Sequence, residues 1–236
     1  MENAELPFIR EMFETIAPKY DLLNRLLSLR CDVLWRKALV SEIDIPDKGK
    51  ILDIACGTGE IGIEILQKTD TGINVYGLDF SINMLELAKD KIKKHGKESL
   101  LHLAAGNAFY LPFKDNTFDA VSIAFGIRNI NDKLTALKAF RNSLKNGGML
   151  LILELNTPPK GLLLNSYLLY FEKILPLIGW FFSKNLMAYQ YLPDSVINFP
   201  APEDFAQIMI KAGFSDVRWK RMTLGIVNLF IGYKFS

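Results

Sequence analysis

The sequence contains few of the residues that build metal centres and disulfide frameworks. Its 236 residues include two cysteines and two histidines, and Cys31 and Cys56 are far apart. A zinc site needs three or four ligands, and a disulfide framework needs more cysteines than this chain has. We therefore expect no metal, and the cysteine usage favours a reducing, cytoplasmic setting.

A strong excess of charge of either sign is also missing. The chain has 28 basic and 26 acidic residues, which gives a formal net charge of +2. Nucleic-acid-binding proteins usually carry a basic footprint, so we expect no nucleic-acid partner. The first ten residues do not show the basic start and apolar run of a secretory signal, which again favours the cytoplasm.

One apolar run, residues 162–183, has the length of a membrane span. However, Glu172, Lys173 and Pro176 interrupt it, and two adjacent charges near the middle of a bilayer are costly. The run is therefore predicted to be part of an apolar lid insertion at about residues 157–200.

What the sequence does contain is a regular alternation of short apolar runs and amphipathic helical patterns. This rhythm is typical of βαβ units, so it predicts an α/β fold with a mostly parallel sheet. The predicted strands of the core are Ile51–Ala55, Asn74–Leu78, Leu100–Ala104, Ala120–Ala124 and Met149–Leu153.

We expect residues 1–236 to form a single domain, because no linker or repeat interrupts the chain and its length suits one core. The predicted parts are an N-terminal helical cap at about 1–48, a cofactor-binding core at about 49–156, the lid, and a C-terminal helix with two strands at about 201–236.

The most specific local pattern is a glycine-rich turn between the first predicted strand and the next helix. Gly57 and Gly59 permit a tight turn and a close approach of a ligand to the backbone. Asp79 follows Gly59 by twenty residues and ends the second predicted strand, where a carboxylate can accept hydrogen bonds from both ribose hydroxyls. The pattern predicts a nucleoside-containing cofactor.

The glycine spacing also matches the dinucleotide fingerprint, so NAD stays an alternative. Two carboxylates favour another ligand. Asp53 lies inside the first strand and calls for a cationic partner, whereas Glu60 at the helix start would repel a pyrophosphate. A ligand with an ammonium group and no phosphate fits both better than NAD.

Asn107 and Ala108 follow the third predicted strand. The amide of Asn107 can read a purine edge by donating and accepting hydrogen bonds. The alternative is that Asn107 only forms a turn.

Together these motifs resemble the ubiquinone/menaquinone biosynthesis C-methyltransferases, a family of class I methyltransferases, and the likeness covers nearly the whole chain. The motifs that carry it are Lys19-Tyr20-Asp21-Leu22-Leu23-Asn24, Trp35-Arg36, Leu52-Asp53-Ile54-Ala55-Cys56-Gly57-Thr58-Gly59, Leu111-Pro112-Phe113, Phe125-Gly126-Ile127-Arg128-Asn129 and Tyr191-Leu192-Pro193-Asp194-Ser195.

The resemblance implies a Rossmann-like fold with seven strands, the last one reversed, and S-adenosylmethionine as the cofactor. It also implies that Thr58, Asp79, Asn107 and Ala108 bind this cofactor. The implied reaction is C-methylation of a prenylated quinol, either demethylmenaquinol to menaquinol or a benzoquinol of the ubiquinone pathway.

The chain departs from the family at several positions. Ala124 stands near the cofactor where the family usually has serine, and Glu60 replaces the usual aspartate. Arg30 and Asp32 stand where glycine and histidine are usual, which makes the acceptor less certain than the cofactor.

The acceptor ring must become electron-rich before it can take a methyl group, so a phenol must be ionised or polarised. We expect Arg128, which follows the fourth strand, to stabilise a phenolate, the alternative being a salt bridge to Asp132. Asp32 is the predicted base, with a helix-surface carboxylate as the alternative. The further catalytic candidates are Tyr20, Asp21 and Asn24.

The lid is rich in aromatic residues, which could cover an isoprenoid tail or contact a membrane surface peripherally. Ordinary packing on the sheet is the alternative, and the sequence leaves a homo-oligomer open. The aromatic residues are Tyr167, Tyr170, Phe171, Trp180, Phe181 and Phe182.

Three rival functions remain at this point. The first is methylation of another apolar acceptor such as a lipid or a sterol-like ring, since one fold serves many acceptors. The second is a nicotinamide-dependent oxidoreductase. The third is a protein that binds the cofactor without catalysis.

Overall fold

The computed structural model describes residues 6–68, 72–159 and 186–235, together with 161, 164, 167 and 169. Within these residues the chain forms one seven-stranded sheet. Its strands are β1 (Lys50–Ile54), β2 (Asn74–Asp79), β3 (Leu101–Ala105), β4 (Phe118–Ala124), β5 (Leu144–Leu155), β6 (Ser215–Met222) and β7 (Val227–Tyr233).

The strand order is β3-β2-β1-β4-β5-β7-β6. Neighbouring strands from β3 to β5 are parallel, whereas β7 runs antiparallel to both β5 and β6. The predicted Rossmann-like sheet with a reversed final strand is therefore confirmed. The strand order reverses direction between β1 and β4, and ligands of such sheets bind at the carboxyl ends of the strands beside this point.

Eight α-helices lie within the described residues. They are α1 (Leu6–Ile16), α2 (Tyr20–Leu27), α3 (Cys31–Ser41), α4 (Glu60–Lys68), α5 (Ile82–Lys94), α6 (Lys133–Ser143), α7 (Leu186–Ile197) and α8 (Pro202–Lys211). Side-chain caps explain two of the starts. The Ser81 hydroxyl accepts a hydrogen bond from the Met84 N–H, and Asp132 accepts one from the Thr135 N–H.

The sheet separates two hydrophobic layers because alternate residues of a strand point to opposite faces. On one face, Ile51 packs with residues of α3, α4 and α5. On the other face, Leu52 and Ile54 pack with residues of α6 and α8. This two-sided burial explains why the central strands read as continuous apolar runs.

One strand boundary differs from its prediction by more than two residues. β5 begins at Leu144, five residues before the predicted Met149, because β4 already pairs with it there through Phe118. β6 is largely exposed because it is the edge strand of the sheet.

Of the predicted lid, the structure describes α7 and single residues before it. Tyr167 is described and is buried. The predicted lid residues Tyr170, Phe171, Trp180, Phe181 and Phe182 lie outside the described residues. In the part of the chain that is described, no helix has the length and apolar character needed to cross a membrane.

Candidate functional site

The chain turns sharply between β1 and α4, beside the point where the strand order reverses. Ala55, Gly57 and Gly59 have positive φ angles of 51°, 53° and 79°. A Cβ atom on Gly59 would lie 3.3 Å from the Cβ of Ala88 in α5. Glycine at this position therefore allows the turn to pack closely against α5, as the sequence predicts.

Asp79 fastens this turn to the neighbouring strand. Its buried carboxylate accepts hydrogen bonds from the Gly57 N–H at 2.8 Å and from the Ser81 N–H at 2.9 Å. Burial raises the pKa of Asp79, although these backbone donors act in the opposite direction. Both oxygens carry further lone pairs, so the carboxylate can accept hydrogen bonds from a ligand as well.

Asp53 is buried in β1 and is only half satisfied. Its Oδ1 accepts a hydrogen bond from the Ser122 hydroxyl at 2.8 Å, but Oδ2 has no hydrogen-bond partner among the described residues. Burial, opposed by the Ser122 hydrogen bond and reinforced by the charge of Asp79, raises the pKa of Asp53 to about 7. The site therefore contains two buried acidic groups and an unused acceptor atom.

A cavity lies at the carboxyl ends of β1, β2 and β4, and we call it the turn cavity. It holds about 850 Å³ of empty space, including space open to solvent. Asp79, Ala108 and Ala124, which the sequence predicts to bind a cofactor, line it, whereas the predicted Asp53 and Gly59 do not. Its other lining residues include Phe13, Tyr20, Gly57, Phe80, Gly106, Asn107, Phe125 and Gly126.

Asn107 lies on the wall of the turn cavity and also forms a local turn. Its side-chain oxygen accepts a hydrogen bond from the Phe109 N–H at 3.0 Å. The turn is therefore confirmed, and because the amide NH₂ is still a donor, the contact with a purine stays a prediction.

A second cavity lies beneath the N-terminal helices, and we call it the cap cavity. It holds about 1080 Å³ of empty space, including space open to solvent, and its wall is mostly apolar. Phe13, Tyr20 and Phe125 line both cavities, so the two spaces meet at these rings. The polar residues of the cap cavity are Tyr20, Asn24, Ser28, Asp32, Arg36 and Arg128, and Tyr167 and Tyr191 add further aromatic wall.

Arg128 brings a buried positive charge to the cap cavity. Its Nη1 atom donates to Glu154 at 2.7 Å and to the Phe125 carbonyl at 2.6 Å. The partner is thus Glu154 rather than Asp132, whose carboxylate caps α6 instead. Burial disfavours the charged form, but Glu154 outweighs this effect and holds the pKa of Arg128 above its ordinary value. The buried Nε has no partner among the described residues.

Tyr20 stands close to Arg128 at the junction of the cavities. Burial raises the pKa of its phenol, while the positive charge of Arg128 and a hydrogen bond with Asn24 act in the opposite direction. Tyr20 and Asn24 therefore offer neutral hydrogen-bonding groups where the two cavities meet.

Asp32 is a buried side chain of the cap cavity and does not lie on a helix surface. It accepts a hydrogen bond from the Ser28 hydroxyl at 2.9 Å and forms an ion pair with Arg36. A carboxylate so held can receive a proton from a molecule in the cavity.

Thr58 and Asp21 lie in a polar junction that joins the cap to the glycine turn. The Thr58 hydroxyl donates to Asp21 at 2.7 Å, and Lys91 of α5 forms ion pairs with both Asp21 and Glu60. Lys91, aided by Arg36 and Arg25, outweighs the effect of burial and holds the pKa of Glu60 below its ordinary value. Neither Thr58 nor Asp21 lines a cavity, so their predicted contacts with ligands stay predictions.

The sequence analysis missed Glu154, Lys91 and the shared ring of Phe13. Glu154 is a single charge in the apolar run of β5, and such a charge signals a buried partner. Lys91 and Phe13 carry no such signal, since their roles depend on how α5 and α1 pack.

The strand order with its reversed last strand, together with the glycine turn at the crevice, defines a class I methyltransferase. Solved structures share this fold. They include a possible histamine N-methyltransferase of Thermotoga maritima, with a TM-score of 0.66, 21% identity, and coverage of 95% of this chain and 99% of that one. Phosphoethanolamine N-methyltransferase 2 of Haemonchus contortus, solved with S-adenosylhomocysteine, has a TM-score of 0.65, 20% identity, and coverage of 85% and 52%.

The chain belongs to the ubiE/COQ5 methyltransferase family, whose family model matches residues 1–234. It is 43% identical over 226 residues to the ubiquinone/menaquinone biosynthesis C-methyltransferase UbiE of Geotalea daltonii, which covers 96% of each chain. It is 38% identical over 226 residues to the demethylmenaquinone methyltransferase of Staphylococcus aureus, covering 96% of this chain and 92% of that one. These matches give no support to an oxidoreductase.

Asp53→Asn is expected to stabilise the ligand-free protein in a pH-dependent way. Because the folded-state pKa of about 7 lies above the unfolded value of 3.8, ionisation of Asp53 costs stability progressively as the pH rises between these values. The gain from Asn should therefore be larger at pH 8 than at pH 5, by roughly 2 kcal/mol. Urea unfolding at both pH values measures it, with the exposed Asp204→Asn as control. A gain that does not change with pH would contradict this assignment.

Proposed function

We propose that this methyltransferase uses S-adenosylmethionine to methylate a ring carbon of a prenylated quinol, with demethylmenaquinol or a benzoquinol of the ubiquinone pathway as the acceptor. The observation that carries the proposal is the pair of cavities that meet at Tyr20. One is lined by the buried carboxylate of Asp79 and by Gly57 of the glycine turn, and the other is apolar with a buried guanidinium. The names of the relatives in Geotalea daltonii and Staphylococcus aureus support the same acceptor class.

The residues of the turn cavity fit S-adenosylmethionine. Asp79 would accept hydrogen bonds from the ribose hydroxyls, the NH₂ group of Asn107 would donate to the adenine, and Ala108 and Ala124 would contact the nucleoside. Asp53 is buried and does not line the turn cavity, so its contact with the ammonium group of the ligand stays a prediction. Gly57 and Gly59 would let the ligand approach the backbone.

The hydrogen bond between Asp79 and the Gly57 N–H argues against a dinucleotide. In a dinucleotide site the backbone N–H groups of the glycine turn bind the pyrophosphate. Here the Gly57 N–H donates to Asp79 at 2.8 Å, and the carboxylate of Glu60 lies at the start of α4. Since Lys91 neutralises Glu60, it is the occupied Gly57 N–H that favours a ligand without phosphate.

The cap cavity fits an apolar acceptor with a polar ring. The side chains of Met12, Leu23, Leu27 and Trp35 would pack against the isoprenoid tail and the ring face. The polar groups of the same cavity would hold the ring oxygens. Because Phe13, Tyr20 and Phe125 border both cavities, an acceptor ring placed beside them would face the turn cavity.

When bound, S-adenosylmethionine supplies an electrophilic methyl group to an in-line displacement. The chain must hold the acceptor carbon in line and make the ring electron-rich. We assign the second task to Arg128, whose fixed positive charge and free Nε donor would stabilise a phenolate on the acceptor. Tyr20 and Asn24 would position the ring by hydrogen bonds.

Asp32 is proposed as the base. Its carboxylate would take the acceptor's hydroxyl proton, and the ring proton would leave to a base or to solvent after the new carbon–carbon bond forms. Arg36 keeps the carboxylate oriented through their ion pair. Asp21 and Thr58 would act one step away by holding the cap against the glycine turn.

The direct test is product analysis with labelled cofactor. Incubation with S-adenosylmethionine carrying a trideuterated methyl group and a demethylated prenyl quinol should give a product that carries this methyl on a ring carbon. Calorimetry should show binding of S-adenosylmethionine and of S-adenosylhomocysteine, and no binding of NAD. Labelled product from a lipid or sterol-like acceptor, and none from the quinol, would replace the proposed substrate.

Arg128→Lys should lower turnover without releasing the cofactor. Lysine keeps a charge beside Glu154, so the buried carboxylate stays paired, but it lacks the planar donor group of arginine. We expect kcat to fall roughly 10²-fold, as for the loss of an oxyanion donor, with the cofactor Kd changed less than about threefold. Arg10→Gln, at an exposed ion pair, is the control. Unchanged kcat would remove Arg128 from the mechanism.

Asp32→Asn should abolish the acidic limb of the pH–rate profile, because asparagine cannot accept the proton. It preserves the side-chain shape and can still accept the hydrogen bond of Ser28. Profiles of kcat for the wild type, for Asp32→Asn and for the exposed control Asp204→Asn would be compared. A parallel profile at reduced rate would give Asp32 a positioning role instead.

A further inference from the structure

One part of the cap surface has an unusual composition, whereas the exposed acidic residues of the cap, Glu11, Asp44 and Asp47, lie outside it. In residues 17–41, all of them described, the exposed large side chains are four leucines and three cations, namely Leu22, Leu26, Leu29, Leu34, Lys19, Arg30 and Lys37. We call these seven residues the cap face. The two acidic residues of the same stretch point inward, where Asp21 pairs with Lys91 and Asp32 with Arg36.

Leu22 and Leu26 are one helical turn apart on α2, and Leu29 follows in the turn between α2 and α3. These leucines are 58%, 39% and 84% exposed. The exposed face of α5 serves for comparison, because it carries charged residues of both signs. These residues are Glu86, Lys89, Asp90, Lys93 and Lys94. Leu22 and Leu26 on α2 thus do not form an ordinary solvated helix face.

The tip of the cap face is held in a costly backbone conformation. Leu29 and Arg30 both have positive φ angles, 50° and 66°, a region that disfavours side chains. The turn nevertheless directs an apolar and a cationic side chain outward. Strain of this kind at an exposed turn is typical of functional surfaces.

The same two helices form the wall of the cap cavity on their other side. Leu23, Leu27 and Trp35 line the cavity, while Leu22, Leu26 and Leu34 face outward. Only one layer of helices therefore separates the cavity from the cap face.

We propose that the cap face docks on an anionic lipid bilayer, with its leucines in the acyl boundary and its cations among the phosphate headgroups. An exposed set of leucines and cations without acidic residues matches the chemistry of interfacial helices and of negatively charged leaflets. The inference rests on the proposed function, because docking here would bring the cap cavity next to the membrane that holds a prenylated acceptor.

Vesicle sedimentation tests the docking with the full-length chain. The wild type should bind vesicles of phosphatidylglycerol and phosphatidylcholine better than pure phosphatidylcholine, and less in high salt. The triple variant Leu22→Ser, Leu26→Ser, Leu29→Ser should bind at least tenfold more weakly. Ile210→Ser, at an exposed position of α8 on the opposite face of the sheet, should bind like the wild type.

Charge variants test the electrostatic part. Arg30→Gln with Lys37→Gln should weaken binding to the anionic vesicles by roughly 25-fold, about fivefold per cation. Lys93→Gln with Lys94→Gln on α5 is the matched control and should have little effect. Arg30→Gly should raise the melting temperature, because glycine relieves the positive φ, and yet weaken vesicle binding. Partial unfolding cannot explain a higher melting temperature together with weaker vesicle binding.

Two activity assays separate this proposal from the proposed function. With a short-tailed acceptor in solution, the triple leucine variant should match the wild type, whereas with a long-tailed acceptor in anionic vesicles its rate should fall about tenfold or more. If the wild type did not methylate the short-tailed acceptor in solution, this result would contradict the proposed function but not the docking proposal. The docking proposal would be overturned if the triple variant bound vesicles as tightly as the wild type. It would also be overturned if light scattering showed that the triple variant loses a dimer while it still binds vesicles.

Discussion

The site depends on the carboxylate of Asp79, which joins the glycine turn to the start of α5. By accepting from the Gly57 and Ser81 N–H groups, it fixes the turn, the end of β2 and the first turn of α5 in one arrangement. Its hydrogen bond also occupies the Gly57 N–H, a donor of the glycine turn that a phosphate would need. The carboxylate of Asp79 lines the turn cavity, where we propose that a positively charged nucleoside binds.

The cap is attached to this arrangement by charge and by packing. Lys91 holds Asp21 of α2 and Glu60 of α4, and the Trp35 indole donates to Thr223 at 2.7 Å near the end of the chain. These contacts place the cap helices so that their inner side closes a cavity against Phe125 and Arg128. The two cavities thus share lining residues, and the described residues contain no cluster of metal ligands.

The parts of the site that follow from local sequence could be predicted. The strand, the glycine turn and the acid at the end of the next strand form one short pattern, and the βαβ rhythm predicts a mostly parallel sheet. The reversed last strand was implied only by the family resemblance. The partner of Arg128 could not be predicted in this way. Asp132 is near in sequence, but Glu154 pairs with Arg128 because β4 and β5 are neighbours in the sheet.

The surroundings of Asp32 and Thr58 were hidden for the same reason. Helical periodicity does not show that α3 turns Asp32 inward to Arg36, or that α2 brings Asp21 to the Thr58 hydroxyl. Such contacts depend on how the cap packs on the core. Single-residue roles in the cap are therefore the least predictable part of the site.

The most direct test of the account is a crystal structure of the ternary complex with S-adenosylhomocysteine and a demethylated quinol. The account predicts the ribose on Asp79 in the turn cavity, the quinol ring beside Tyr20 and Arg128 in the cap cavity, and the sulfur facing the acceptor carbon. A nucleoside elsewhere, or a quinol outside the cap cavity, would contradict it.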